Sequence, residues 1–286
     1  MPTSRRFSWP TTAAVPKTQK TVQRRIHRMP TDIFTRELTD RRMAVAALGV
    51  VLALFAFFVT GISSGLEDVM TDLTDAMPDA VTAFIPAGPG GYAIGELFNL
   101  IAPLALIAYA VITSAAATAG EERIGTMALL SAQPVTRRSI LAQKALGVGA
   151  ALAAVTIVFG AATVLSAMLF GVDELTPRHI AAACLHLYLL ALLFGAITLA
   201  AGAVAGDPGI AAGVGGGLAV AAWVSNSMLP IAHLDDWARI SPWYYYVSSE
   251  PLSHGVDLPH VLILAVLTLA AAMIAAVAFD RRDLKG

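Results

Sequence analysis

Apolar positions in this chain fuse into long runs separated by short polar stretches, with neither the alternation of a half-buried strand nor the mixed pattern of a soluble helix. A helix needs about 20 mostly apolar residues to cross about 30 Å of hydrocarbon. Six runs meet that length, at 43–62, 98–118, 140–170, 180–205, 210–231 and 258–279. A transmembrane barrel would show short alternating segments instead. The pattern therefore predicts an all-α integral membrane protein with six transmembrane helices. Two amphipathic stretches flank the first run. In 31–42, Ile33, Phe34 and Leu38 read as one helical face, with Arg36, Glu37 and Asp40 turned elsewhere, which predicts a short interfacial helix before the first span. In 66–77, Leu66, Val69, Met70, Leu73 and Met77 follow helical spacing with Glu67, Asp68, Asp72 and Asp75 facing away, which predicts a second amphipathic helix on the far side.

Composition agrees with the pattern. Of 286 residues, 57% are hydrophobic and 14% charged, and mean hydropathy is +0.69. Soluble domains average about 45–50% apolar and about 25% charged, so a soluble enzyme and a disordered chain are both excluded. The net charge of -1 hides an asymmetry. Ten Lys and Arg lie in residues 1–42, four in 119–144 and three after residue 280, while the intervening loops hold only Arg178 and Arg239. The positive-inside rule then places both termini in the cytoplasm, with an acidic outer face. Residues 1–28 read as a flexible basic tail and 29–286 as the transmembrane domain. The first 42 residues do not read as a signal peptide, because the apolar run starts late and no small-residue cleavage pattern follows it. The single cysteine, Cys184, reads as a small core residue. The loop 233–257 carries Trp237, Trp243, Tyr244, Tyr245 and Tyr246, which predicts a segment at the outer headgroup level.

The cytoplasmic stretch 119–144 carries the most specific signal. It reads AGEERIGTMALLSAQPVTRRSILAQK. As a helix over 120–133 it places Ile124, Met127 and Ala128 on one side. The other side holds Glu122, Thr126, Leu129 and Gln133. An apolar Leu129 among polar residues suits a groove on a partner protein, and Pro134 ends the helix. Here the sequence resembles the ABC-2 family of ABC-transporter permeases. The shared features are the acidic pair Glu121-Glu122, then Gly125-Thr126, Leu129-Leu130, Pro134-Val135-Thr136-Arg137 and Lys144. Ile240-Ser241-Pro242-Trp243 resembles the family's last external loop, and 279–284 (FDRRDL) its C-terminal ending. The first external loop is similar to that of the subgroup including NosY-like permeases.

The resemblance implies that 121–133 forms a coupling helix docking on a separate ATP-binding subunit, present in two copies, and that 31–42 touches the same subunit. The residues implied in coupling are Glu121, Glu122, Gly125, Thr126, Leu129, Leu130, Pro134 and Arg137. A second permease chain, in a homodimer or related heterodimer, would complete a path that opens outward, surrounded by lipid. In such families spans one, two and five lie near the dimer axis, which favours Asn99, Tyr109, Trp223 and Asn226 as path residues. ATP and Mg are expected on the ATPase subunit, and no cofactor, metal, catalytic residue or nucleic acid on this chain. Independently, the sequence holds no Gly-x-x-x-x-Gly-Lys-[Ser/Thr] phosphate cradle. An ion-coupled secondary transporter is the nearest rival, and it predicts charged residues at span centres, which the runs lack. A non-transporting scaffold is the other. His186 reads as a core histidine, and the glycines at 213–217 as a site of close helix contact, including at a dimer seam.

Overall fold

A computed structural model describes residues 29–75, 91–120 and 136–281. They form helices and connecting turns, with no strand among them. The principal elements are α1 (Met29–Asp75), α2 (Gly91–Glu96), α3 (Ala102–Ala115), α4 (Arg137–Phe170), α5 (Pro177–Ala205) and α6 (Pro208–Met228). Three single turns follow, α7 (Asp235–Ala238), α8 (Tyr244–Val247) and α9 (Pro251–His254), then α10 (Leu258–Arg281). Two π-helical turns, Leu97–Ile101 and Ala116–Gly120, flank α3 and join it and α2 into one span. Among the described residues six helices are long and apolar enough to cross a membrane, each overlapping one of the six runs. The chain is an all-α, multi-pass membrane protein.

The interfacial segment 31–42 is helical, and it runs without a break into the first span and on to Asp75. No proline lies between residues 31 and 75, and the glycines there stay helical, so nothing stops the helix where polarity changes. At 1.5 Å per residue its 47 residues extend about 70 Å, far more than the hydrocarbon needs. The backbone of the second amphipathic stretch belongs to the same helix as far as Asp75.

Turn chemistry sets the other ends. Thr136 caps α4, its hydroxyl accepting from Ser139 N at 3.3 Å. Thr176 caps α5 in the same way through His179 N, with Pro177 in the first turn. Between α5 and α6 the chain reverses through Gly206, Asp207 and Pro208. Gly206 takes the left-handed φ of 65°, Asp207 accepts from Ile210 N at 2.9 Å, and Pro208 fixes the first turn.

Packing gives the direction of every span. α1 and α4 run parallel: Glu37 meets Lys144, Gly49 approaches Val158, and Ser166 donates to Thr60 at 3.0 Å. α3 and α5 also run parallel, Gly195 facing Ala110 and Ser114 while Gly202 faces Thr118. α5 and α6 are antiparallel across Gly202–Ala211 and Thr198–Gly215. α10 starts beside α5, where Gly255 faces His179, and ends beside it, where Phe279 shares a cluster with Leu199 and Ala203. α5 is the hub, touching α3, α4, α6 and α10. Its small residues let the backbones approach, which is how helices associate where lipid offers no hydrophobic contrast. Arg41, Arg42, Arg137, Arg138, Lys144 and Arg281 therefore collect at one end of the bundle, and Arg178 and Arg239 lie at the other.

Candidate functional site at the basic end of the bundle

The basic end is organised around one carboxylate. Glu37 lies on the α1 stripe formed by Phe34, Leu38 and Arg41, at helical spacings of three and four, and it is buried. It does not point away with Arg36 and Asp40, which are exposed and pair with each other at 3.6 Å. One Glu37 oxygen accepts from Lys144 Nζ at 3.0 Å, and the other from Arg41 Nε at 2.9 Å. The Lys144 side chain, two turns into α4, is only 1% exposed. A charge so buried is tolerable only when paired and hydrogen-bonded. Gly147, one turn further, makes room: a Cβ there would stand 3.0 Å from that of Glu37. Arg41 reaches a third element, donating from Nη2 to the carbonyl of Thr113 at 3.3 Å. Tyr109, one turn before Thr113, is buried within electrostatic reach of Arg41 and Glu37. Its hydroxyl finds no partner among the described residues.

Around this cluster the bundle end is closed by apolar contacts among Ala117, Ile140, Leu141, Leu199, Ala203 and Phe279. An Arg138–Asp280 ion pair ties the start of α4 to the end of α10. The stretch 121–135 leaves from Gly120 and returns at Thr136, both at this end. Glu121, Glu122, Gly125, Thr126, Leu129, Leu130 and Pro134 lie outside the described residues. Arg137 opens α4 and is half-buried. Lys144 belongs to the buried pair within the span, so the spans do carry internal charge, near the basic end and away from their centres.

The proposed path residues are spread along the bundle. Asn99 sits in the π-helical turn Leu97–Ile101, half-buried, next to Phe98, whose carbonyl accepts from the Tyr246 hydroxyl. Tyr109 is nearer the basic end. Trp223 and Asn226 are on α6, Trp223 with 38% of its surface exposed. His186 is fully buried; its Nδ1 lies 2.9 Å from the Ala182 carbonyl and must therefore donate, which leaves Nε2 as an acceptor without a partner among the described residues. Among the described residues no cluster of His, Cys, Asp or Glu is placed to hold a metal ion.

At the opposite end the aromatic loop divides. Trp237 and Ile240 are exposed, as suits a headgroup layer, while Trp243 and Tyr246 are core residues. Tyr244 and Tyr245 pack edge-on against each other and against His260. Burial pushes the Tyr246 phenol well above its ordinary range, keeping it a donor. Ser241 supplies the corner: its hydroxyl donates to the Ala222 carbonyl at 2.7 Å and accepts from Trp243 N at 3.2 Å. The Ser-Pro-Trp stretch is thus a staple fixing this loop to α6. Six spans, this staple and the charged base accompany a match to the family described as ABC-2 family transporter protein over residues 31–284.

The chain belongs to the ABC-2 family. As an ABC-2 protein it is a permease component of an ABC transporter, a membrane subunit whose family works with an ABC ATP-binding subunit. No curated protein matches the sequence. The match begins inside the N-terminal part of α1, so the residues that hold Glu37 and Arg41 belong to the ABC-2 region. By sequence Glu37 reads as turned away with Arg36 and Asp40, and Arg41 is given no role, although Phe34, Glu37, Leu38 and Arg41 share one helical stripe, a signal that an acidic side chain faces the bundle.

Proposed function

We propose that this ABC-2 permease is the transmembrane half of an ATP-driven exporter, pairing with a second permease chain and with two copies of a separate ATP-binding subunit that docks at the basic end. Both termini are then cytoplasmic, in a bacterial-type plasma membrane, and the stretch 121–135 is the docking segment. The observation that carries this reading is the convergence, at the cation-rich end, of the two helices flanking that stretch, α3 and α4, with the N-terminal part of α1. Cation-rich ends face the cytoplasm, where ATP is available. The chain's own sequence offers no P-loop, so ATP and Mg belong to the partner. Asn99, Tyr109, Trp223 and Asn226 are proposed to line the path between the paired permeases.

The test is co-expression with an ABC ATP-binding subunit encoded in the same genome, followed by purification through a tag on the permease. A complex that hydrolyses ATP, beside a permease that alone hydrolyses none, supports the assignment. Glu121→Ala, Glu122→Ala and Leu129→Ala together should release the ATPase. Hydrolysis by the isolated permease, or a triple variant that binds the ATPase unchanged, refutes it.

A further inference from the structure

We infer that Glu37 is a positioning residue that holds α3 and α4, the helices flanking the stretch 121–135, in register with the N-terminal part of α1, so that the ATP-binding subunit docks against a fixed base; this rests on the docking reading above. The geometry is specific to that stretch. The chain enters it through α3 and the π-helical turn Ala116–Gly120, and leaves it through α4. Arg41 grips the entry side at the Thr113 carbonyl, just before that π-helical turn. Lys144 occupies the exit side. Glu37 accepts from both cations, one on each oxygen, and so joins entry, exit and α1 through a single carboxylate. Gly147 lets the Glu37 stem lie directly against α4. π-helical turns are rare and recur at functional sites, and the Arg41 bond lies beside this one. A pair serving stability alone would more cheaply be apolar, since burying charge costs several kcal/mol per ion.

Two variants test this in the co-expressed complex, with binding of the ATPase subunit and hydrolysis per bound subunit read separately. Glu37→Gln keeps the size and removes the charge. It should yield a monodisperse permease that binds the ATPase about tenfold more weakly, a normal size for coupling between sites. The second variant combines Glu37→Cys, Gly147→Cys and Lys144→Met in a Cys184→Ala background. The two new cysteines stand at positions whose Cβ atoms would be 3.0 Å apart, so the two helices need part by only about 0.5 Å to reach disulfide spacing. Reduced, it should bind weakly; oxidised, it should recover binding, because only the tie differs between the two states. Equal binding by its reduced and oxidised forms overturns the inference even if Glu37→Gln fails to fold, as does wild-type binding by Glu37→Gln. A wild-type permease that binds no ABC ATPase takes down the docking reading itself, whereas an intact wild-type complex beside an unaffected Glu37→Gln takes down only the role of Glu37.

Discussion

Single atoms decide how closely these helices pack. A Cβ at Gly215 would stand 1.9 Å from Thr198 Oγ1 and 3.1 Å from Thr198 Cβ, so α6 can lie on α5 only because that position is glycine. At Gly213, on the same helix, nothing lies within 4 Å. Gly215→Ala should therefore destabilise the protein by about 1–3 kcal/mol, the range for overpacking. Gly213→Ala should not lower stability, and both are read from thermal unfolding in detergent. Tyr246 makes a different point. Its hydroxyl reaches across the bundle to the Phe98 carbonyl from full burial, and Tyr246→Phe should cost about 1–3 kcal/mol by leaving that acceptor unpaired. Because burial raises the folded phenol's pKa above the unfolded value near 10, the neutral form is favoured in the fold. Its contribution is thus fully present below about pH 10 and lost as pH rises through the raised folded value. Tyr246→Phe should flatten that alkaline limb, which a pH series of unfolding midpoints checks. Glu37 shows why residue-scale reading of the sequence stops short. Its helical spacing from Phe34 and Leu38 was visible, but charge alone argued for solvent, and the cations that make its burial tolerable come from elsewhere, Lys144 lying 107 residues away.

For whole elements, legibility follows from which physics marks their ends. The six spans were readable because twenty-residue apolar runs have few alternatives. The α5–α6 reversal is marked locally too: Gly206-Asp207-Pro208 carries a left-handed stop, a cap and a pre-set first turn in three residues. Asp207→Ala should cost about 0.5–2 kcal/mol by orphaning the Ile210 amide, again measured by unfolding. Gly206→Ala adds strain at a φ of 65°. The unbroken course of α1 was not readable, because polarity changes at Arg42 and again beyond Ser63 while the backbone has no reason to stop. Hydropathy reports the solvent that each turn meets and says nothing of helix continuity. The aromatic loop failed differently: amphipathic rings were assigned together to the headgroup layer, yet Trp243 and Tyr246 are buried by α7–α9 folding back onto the bundle, a tertiary event with no local signature.

The molecule as a whole leaves a row of small residues open on α6. Its inward positions, Ala211, Gly215, Ala219 and Ala222, are buried in the chain. A second row at four-residue spacing, Gly213, Gly217 and Ala221, is exposed, and neither glycine has a heavy atom within 4 Å of where a Cβ would stand. Lipid alone would favour larger side chains here, since glycine in a helix interior costs about 1 kcal/mol against alanine. Small residues at this spacing instead let a second helix approach to backbone contact. The proposed pairing of two permeases accounts for the row. Gly213→Leu with Gly217→Leu should then leave the monomer's fold intact, because both substitutions enter open space. It should shift the protein from dimer to monomer, read by mass photometry or by crosslinking in native membranes. Gly216→Leu is the control: that position also has open space around it but lies on the flank of the row, so it should weaken the dimer less. If the double variant stays dimeric, the seam lies on another span, and the small residues of α6 face lipid for a reason unconnected with pairing.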